Sequence, residues 1–224
     1  MTKNTMPKQN KIYLIIAIIL IAAGLILVVR EGKAPGDNNN QAVRLIDQAD
    51  HIWGDPTAPI AMIVYSDFEC PFCAGFAETM KKIEENFKDK VAITFRHYPL
   101  PGHLDAKQAA EASECAAEQG KFWEMHDKLF ADNVAGRMSL NQFKQDAVDL
   151  GLNQEQFNQC LDSNKYKDKI REQTNEGNKV GVTGTPTVFV NGNIYPGAYP
   201  FEDFTSPDGR PEKGLKSIVD ELLK

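Results

Sequence analysis

Apolar and polar positions in the middle of the chain predict a strand, a helix and a second strand. Residues 60–65 (IAMIVY) are continuously apolar, as in a strand that is buried on both faces. Residues 71–88 carry apolar side chains three or four positions apart, which is the spacing of an amphipathic helix. Residues 91–97 (VAITFRH) alternate and predict a strand again. This unit has a suitable length for a right-handed parallel crossover.

The following segment, from residue 104 to about 178, has no good strand pattern and predicts a helical insertion. Its predicted helices cover residues 106–117, 122–130, 140–150, 154–161 and 166–178. Strand patterns return on either side of Asn191-Gly192, a strong hairpin signal. Turn residues then fill the loop 205–214, and residues 215–223 predict a closing amphipathic helix.

The N-terminal region contains an uninterrupted apolar run at residues 12–29. At about 1.5 Å per residue this run is close to the thickness of a bilayer core, so we predict a transmembrane anchor. Lysines without acidic residues precede it, which places residues 1–11 in the cytoplasm. A cleaved signal peptide is the alternative, although the small residues at 22–24 lie inside the run. Residues 30–44 predict a flexible linker to an extracytoplasmic domain at 45–224.

The composition is that of a globular protein, with 42% hydrophobic residues and a net charge of -6. Residues 1–30 contain four basic and no acidic residues, so 21 basic and 31 acidic residues remain, a net charge of -10. This acidic part would repel phosphate backbones, so we expect no binding to nucleic acid.

The main chemical feature is Cys70-Pro71-Phe72-Cys73, at the point where strand becomes helix. A thiolate at Cys70 would face the free N–H groups and the positive dipole end of the helix, which lower its pKa. Pro71 suits the first helical turn. Cys73 lies one turn further on the same face, close enough to attack a mixed disulfide at Cys70. We therefore predict a redox-active pair with Cys70 as nucleophile and Cys73 as resolving residue.

A structural zinc site and a purely structural disulfide are two other interpretations of the cysteine pair. A structural zinc site would need two further ligands, and the four histidines are not suitably spaced for it. A purely structural disulfide would close a two-residue loop and constrain little chain entropy. We predict no metal and no bound cofactor.

Cys115 and Cys160 fall in predicted helices with small or apolar neighbours. In an oxidising compartment two such thiols are expected to form a structural disulfide, which would close a loop of 45 residues. A second redox-active pair and two buried free thiols remain alternatives.

Acidic and aromatic residues flank the cysteine motif. Asp67 and Glu69 are either proton acceptors or charges that tune Cys70, or else exposed acids at a strand end, and we favour the last interpretation. Phe72 is a candidate substrate contact, whereas Phe76 has the spacing of a core residue.

The elements and motifs together resemble the DsbA-like family of thioredoxin-fold disulfide oxidoreductases, in its membrane-anchored branch. The similar stretches cover most of residues 51–197 and read GDPTAPIAMIVYSDFECPFC, FRHYPLPGH, CAAEQGKFWEMHDKLF, FNQCLDS and GVTGTPTVFVNG. The resemblance implies an α/β, thioredoxin-like fold with an inserted helical subdomain that covers about residues 104–178, after a single N-terminal transmembrane helix.

The resemblance also assigns residues to a substrate site. Thr185-Pro186, which by sequence alone is a turn before an edge strand, would be a cis-proline loop facing Cys70. Pro71, Phe72, Thr185 and Pro186 would then contact an extended substrate peptide. The implied partners are cysteine-containing exported proteins and, for an oxidase, a quinone-linked membrane reoxidase of the DsbB-like or VKOR-like kind.

One departure from the family concerns the direction of electron flow. Its most oxidising members carry Pro-His between the cysteines, and Phe72 cannot donate the hydrogen bond of that histidine. We expect a dithiol oxidase on the outer face of the cell membrane. A reductase or isomerase of the same fold remains open, as does a thioredoxin-like peptide-binding module whose disulfide never turns over.

Overall fold

The structure is a computed structural model that describes residues 42–224. The predicted cytoplasmic segment 1–11, the predicted anchor 12–29 and the predicted linker up to residue 41 lie outside the described residues. Within the described part of the chain, no helix combines the length and the apolar character that crossing a membrane requires.

The linker predicted for residues 30–44 is wrong at its C-terminal end. Val43 is buried in an apolar cluster of the folded domain. Arg44 forms ion pairs with Asp50 at 3.2 Å and with Glu176 at 3.3 Å. Val43 and Arg44 follow no periodic pattern, and Glu176 lies 132 positions from Arg44. The sequence around Val43 and Arg44 therefore did not indicate that they belong to the domain.

Five strands form one mixed sheet. They are β1 (His51–Trp53), β2 (Ile60–Ser66), β3 (Val91–His97), β4 (Thr187–Val190) and β5 (Asn193–Pro196). Their order is β1-β3-β2-β4-β5, in which β2 and β3 are parallel and every other neighbouring pair is antiparallel. Helix α1 (Pro71–Phe87) connects β2 with β3, as the apolar pattern predicts. Strand β1 was not predicted.

The alternating sequence of β3 is typical of a half-buried strand, yet the whole strand is buried. Its polar side chains are paired in the interior. Arg96 donates to the carboxylate of Asp50 at 3.0 and 2.9 Å, and His97 lies 2.9 Å from Glu114. Such partners compensate for the loss of water, so the polar positions of β3 mark buried pairs and not a solvated face.

The predicted helical insertion is confirmed as five helices between β3 and β4. They are α2 (Ala106–Ala117), α3 (Phe122–Val134), α4 (Leu140–Asp149), α5 (Gln154–Asp162) and α6 (Lys167–Lys179). The side chains of α2 to α5 share one apolar cluster with both Cys70 and Cys73. The insertion therefore packs directly against the start of α1.

The chain ends with a hairpin and a helix that return to the sheet. Asn191 and Gly192 have φ angles of 45° and 84°, as a tight mirror-image turn between β4 and β5 requires. The predicted loop 205–214 contains part of a small hairpin that was not predicted, formed by β6 (Phe204–Thr205) and β7 (Pro211–Glu212). Helix α7 (Leu215–Leu222) joins α1 in one apolar cluster with the sheet.

Candidate active site

The cysteine pair lies at the junction between β2 and α1. Cys70 is the N-cap of α1, and Pro71 is the first residue of the helix. The backbone N–H groups of Cys73 and Ala74 donate to the carbonyl oxygen of Cys70 at 3.0 and 3.1 Å. Both cysteines are free thiols, with exposed fractions of 3% for Cys70 and 1% for Cys73. The Cys70 sulfur thus lies at the positive end of the helix dipole.

The two sulfurs differ strongly in acidity. The hydrogen bond from the Cys73 thiol, followed by those from the Cys73 N–H, the Thr185 side chain and the Phe72 N–H, lowers the pKa of Cys70 to about 5 although burial opposes this. Burial, and then the hydrogen bond to Cys70, raises the pKa of Cys73. At neutral pH Cys70 is therefore a thiolate and Cys73 a thiol, which is the difference that a nucleophile and a resolving cysteine need.

The loop before β4 faces the sulfur of Cys70. The Thr185-Pro186 peptide bond is cis. The Cys70 Sγ lies 3.5 Å from the carbonyl oxygen of Thr185, across 115 residues of sequence. Pro186 is buried, and the buried Thr185 hydroxyl lies within hydrogen-bonding reach of the two cysteine sulfurs. The structure thus brings Thr185 and Pro186 beside the cysteine pair.

The aromatic residues of the motif have separate positions. Phe72 has an exposed fraction of 69%, so its ring is free to contact another molecule. Phe76 has an exposed fraction of 2% and lies in the core between α1 and the sheet. Pro71 lines an open groove between α1 and α3, together with the exposed side chain of Val134.

Asp67 and Glu69 are not the exposed strand-end acids that we favoured. Asp67 has an exposed fraction of 2%, and its side chain accepts hydrogen bonds from the backbone N–H groups of Leu100 at 2.7 Å and Glu69 at 2.8 Å. The Glu69 carboxylate accepts from the N–H groups of Asp105 and Ala106 at 2.7 and 2.9 Å. Both acids bind backbone donors that lie more than thirty residues away, so the sequence around them did not reveal their burial.

His103 is a neighbour of the site that the sequence did not identify. Its Nδ1 lies 2.7 Å from Oδ2 of Asp67, and 28% of its side chain is exposed. In the sequence, the four histidines are candidates only for zinc ligands. The signal that could have found His103 is its position in the loop between β3 and α2, since the parallel pairing of β2 and β3 places this loop beside the end of β2.

A cavity of about 110 Å³ between α1, the sheet and α3 reaches the resolving cysteine. Cys73 and Ser66 line it in the buried interior, and the half-exposed side chain of Asp127 lines it near the surface. Glu84 also lines the cavity, and burial, followed by the negative charge of Asp127, raises the pKa of Glu84 to about 7. The cavity has room for several water molecules between these groups.

The remaining two cysteines are joined to each other. A disulfide connects Cys115 in α2 with Cys160 in α5, with a distance of 5.8 Å between their Cα atoms. Both residues are buried, in the same apolar cluster as Cys70 and Cys73.

Comparison with known proteins agrees with this geometry at the level of family and fold. The family model described as thioredoxin matches residues 47–206. A region 37% identical over 161 residues occurs in a protein named Na(+)/H(+) antiporter NhaA 1 of Mycobacterium sp. (strain KMS). That match covers 70% of this chain but only 26% of the antiporter, so the chain spans about a quarter of this relative.

Solved structures of disulfide-exchange proteins have the same fold. Wolbachia pipientis alpha-DsbA1 matches with a TM-score of 0.64 and 28% identity, over 82% of this chain and 95% of that one. BdbD from Bacillus subtilis matches with a TM-score of 0.67 over 81% of this chain and 97% of that one, and at 21% identity this likeness concerns the fold alone. The chain therefore belongs to the thioredoxin family and is a DsbA-like protein disulfide oxidoreductase.

Proposed function

We propose that the protein is an extracytoplasmic dithiol oxidase that introduces disulfides into exported proteins through a mixed disulfide at Cys70. The observation that carries the proposal is the acidity difference within the pair, a Cys70 pKa of about 5 beside a Cys73 pKa that is raised. Only Cys70 is then a thiolate at neutral pH and hence a good leaving group.

The proposed reaction begins with the Cys70–Cys73 disulfide. A substrate thiolate attacks Sγ of Cys70, the enzyme disulfide breaks, and Cys73 leaves with the bonding electron pair and takes up a proton. A second substrate thiolate then attacks the substrate sulfur of the mixed disulfide, and Cys70 leaves as a thiolate. The substrate loses two electrons and gains a disulfide, and the enzyme becomes a dithiol. Where no second substrate thiol is available, Cys73 attacks Cys70 and releases the substrate.

The low pKa of Cys70 favours oxidation of the partner. A thiolate that is stabilised only in the dithiol protein makes the reduced protein more stable, and therefore makes its disulfide a stronger oxidant. Thioredoxin has a nucleophile with a pKa of about 7 and a strongly oxidising DsbA one of about 3.5, so a value of about 5 lies between them. This supports an oxidase even though Phe72 stands between the cysteines.

Groups around Cys70 are suited to hold an extended peptide. The buried Thr185 hydroxyl is a hydrogen-bond donor to the cysteine sulfurs, so it lies where a substrate sulfur would bind. Phe72, between the two cysteines in sequence, offers an exposed apolar ring. We propose that Pro71, Phe72, Thr185 and Pro186 form the substrate contact.

We propose that the cavity between α1, the sheet and α3 carries the proton of Cys73. A buried thiol with a raised pKa needs a proton acceptor before it can attack, and water in the cavity would connect it with Glu84. Because the pKa of Glu84 is about 7, its carboxyl can both take and return a proton near neutral pH. We expect Cys73 to depend on this route, since its exposed fraction is 1%.

The proposed location outside the cytoplasm rests on two features of the chain. The apolar run at residues 12–29 follows lysines, which supports a membrane anchor with its N-terminus inside. The Cys115–Cys160 disulfide is typical of an oxidising compartment. A quinone-linked membrane reoxidase, DsbB-like or VKOR-like, would then return the reduced pair to its disulfide.

Disulfide transfer to a peptide tests the proposed function. The oxidised full chain is mixed with a reduced peptide that contains two cysteines, and the products are trapped by alkylation and weighed. We expect a disulfide in the peptide, two alkyl groups at Cys70 and Cys73, and none at Cys115 and Cys160. A control peptide with one cysteine should gain no internal disulfide, because Cys73 releases it from the mixed disulfide and the Cys70–Cys73 bond forms again. Reduction of a peptide disulfide without the reverse transfer would indicate a reductase, and no exchange would leave a peptide-binding module.

A further inference from the structure

Hydrogen bonds connect the segment 100–106, which contains His103, with the residues just before Cys70. Asp67 stands three positions before Cys70, and its carbonyl oxygen accepts from the Cys70 N–H at 3.1 Å. The Asp67 side chain binds the N–H of Leu100 and Nδ1 of His103, both at 2.7 Å. Glu69, directly before Cys70, binds the first backbone N–H groups of α2. These bonds hold the imidazole of His103 beside the start of α1.

The orientation of the His103 ring follows from its partner. The carboxylate of Asp67 already accepts two backbone N–H groups, and an ionised carboxylate has only acceptors to offer. Nδ1 of His103 must therefore carry the proton in this contact. A buried carboxylate behind the ring fixes the tautomer and favours protonation of the second nitrogen.

The residues on either side of Cys70 carry negative charge but no positive charge. Asp67 and Glu69 are both acidic, and Pro71 and Phe72 inside the motif carry no charge. Negative charges close to a thiolate oppose its formation. The facing loop of residues 183–186 (TGTP) adds hydrogen-bonding groups but no titratable side chain. Among the groups that hydrogen-bond to the side chains of Asp67 and Glu69, His103 alone can carry a positive charge at neutral pH.

The acidity of His103 is consistent with this role. Burial lowers its pKa, but the hydrogen bond to Asp67 and the charges of Asp67, Glu69 and the Cys70 thiolate outweigh burial and raise the pKa above its ordinary value. The titratable groups that act on His103 thus come from the loop after β2 and from the start of α1.

We propose that the His103 imidazolium, oriented by Asp67, is a positioning residue that stabilises the Cys70 thiolate from outside the Cys-Pro-Phe-Cys motif. The inference deepens the function proposed above, because a stabilised thiolate makes the enzyme disulfide more oxidising. It also gives the site a dependence on pH. As pH rises through the pKa of His103, the positive charge is lost and the thiolate loses its partner, so the oxidising power falls.

The inference is tested by titrating His103 with NMR in the full chain. We compare the Cys73→Ser variant, which keeps the Cys70 thiolate, with the Cys70→Ser variant, which removes it. If the two charges interact, the ionisation constant of His103 should be roughly three- to tenfold smaller in the first variant than in the second. The reduced and oxidised wild-type proteins should differ in the same direction. Equal His103 titrations in all four proteins would overturn the inference.

The reciprocal measurement follows the Cys70 thiolate in a His103→Gln variant. The glutamine amide can still donate to Asp67, so the segment keeps its attachment while the positive charge is lost. Because coupling between two sites is reciprocal, the ionisation constant of Cys70 should fall by a similar factor of roughly three to ten. The rate of alkylation of Cys70 against pH measures it, and an unchanged profile would show that His103 has a structural role only.

These titrations are independent of the proposed exchange reaction. If peptide oxidation succeeds while the titrations do not respond, the charge pairing fails and the oxidase stands. If the titrations respond but no peptide is oxidised, the pairing stands and the proposed function fails.

Discussion

Replacement of Cys70 by serine is expected to lower the rate of disulfide exchange by about a thousandfold or more, because it removes the group that forms the covalent bond to substrate. Replacement of Cys73 by serine should have a different result. The serine hydroxyl can donate to Cys70 in place of the Cys73 thiol, and the backbone N–H groups still lower the pKa of Cys70, but no second thiol can release a substrate bound to it. We therefore expect Cys73→Ser to accumulate mixed disulfides and Cys70→Ser to form none.

The two variants form a matched pair, since each replaces one sulfur by oxygen at a buried position of the same helix start. Incubation of each reduced full-length variant with a disulfide-containing peptide, followed by mass measurement, gives the result directly. Equal trapping by both variants, or trapping by Cys70→Ser alone, would contradict the assignment of nucleophile and resolving cysteine.

Removal of the second disulfide is expected to have the largest effect on stability. The bond between Cys115 and Cys160 closes a loop of 45 residues. In the chain-entropy model a loop of this length stabilises the folded state by about 4 kcal/mol. We expect the Cys115→Ala/Cys160→Ala double variant to lose about that much free energy of unfolding in urea titrations of the full chain.

The same double variant separates a structural disulfide from a redox-active one. If the bond is structural, peptide oxidation by the folded double variant should match the wild type. A loss of exchange activity with little loss of stability would instead indicate that Cys115 and Cys160 pass electrons to the first pair. Wild-type protein with the Cys115–Cys160 bond reduced keeps both sulfur atoms. Comparing its free energy of unfolding with that of the double variant separates the loss of the bond from the effect of the cavities that alanine leaves in the core.

The residues that anchor the site could be predicted because their signals are local. The buried strand β2, the cysteine spacing and the apolar face of α1 occupy adjacent segments, and each follows from side-chain period alone. The hairpin signal at Asn191-Gly192 likewise placed β4. The approach of Thr185-Pro186 to Cys70 was expected only from resemblance to a family, since no local pattern reports a contact across 115 residues.

What the sequence did not reveal depends on pairs that are distant along the chain. Strand β1 has three residues, too few for a period to appear, and is defined by its pairing with β3. Arg96 is a charged residue in a buried strand because Asp50, 46 positions away, neutralises it. Asp67 was interpreted as exposed because its partner His103 lies 36 positions further on.

The reduction potential of the Cys70–Cys73 pair tests the central claim most directly. The full chain is equilibrated in glutathione redox buffers, alkylated and weighed, so that Cys115 and Cys160 are followed separately. The account predicts a potential less negative than about −200 mV, in the range of proteins that oxidise or rearrange disulfides. A value near that of thioredoxin, about −270 mV, would contradict a dithiol oxidase and identify a reductase.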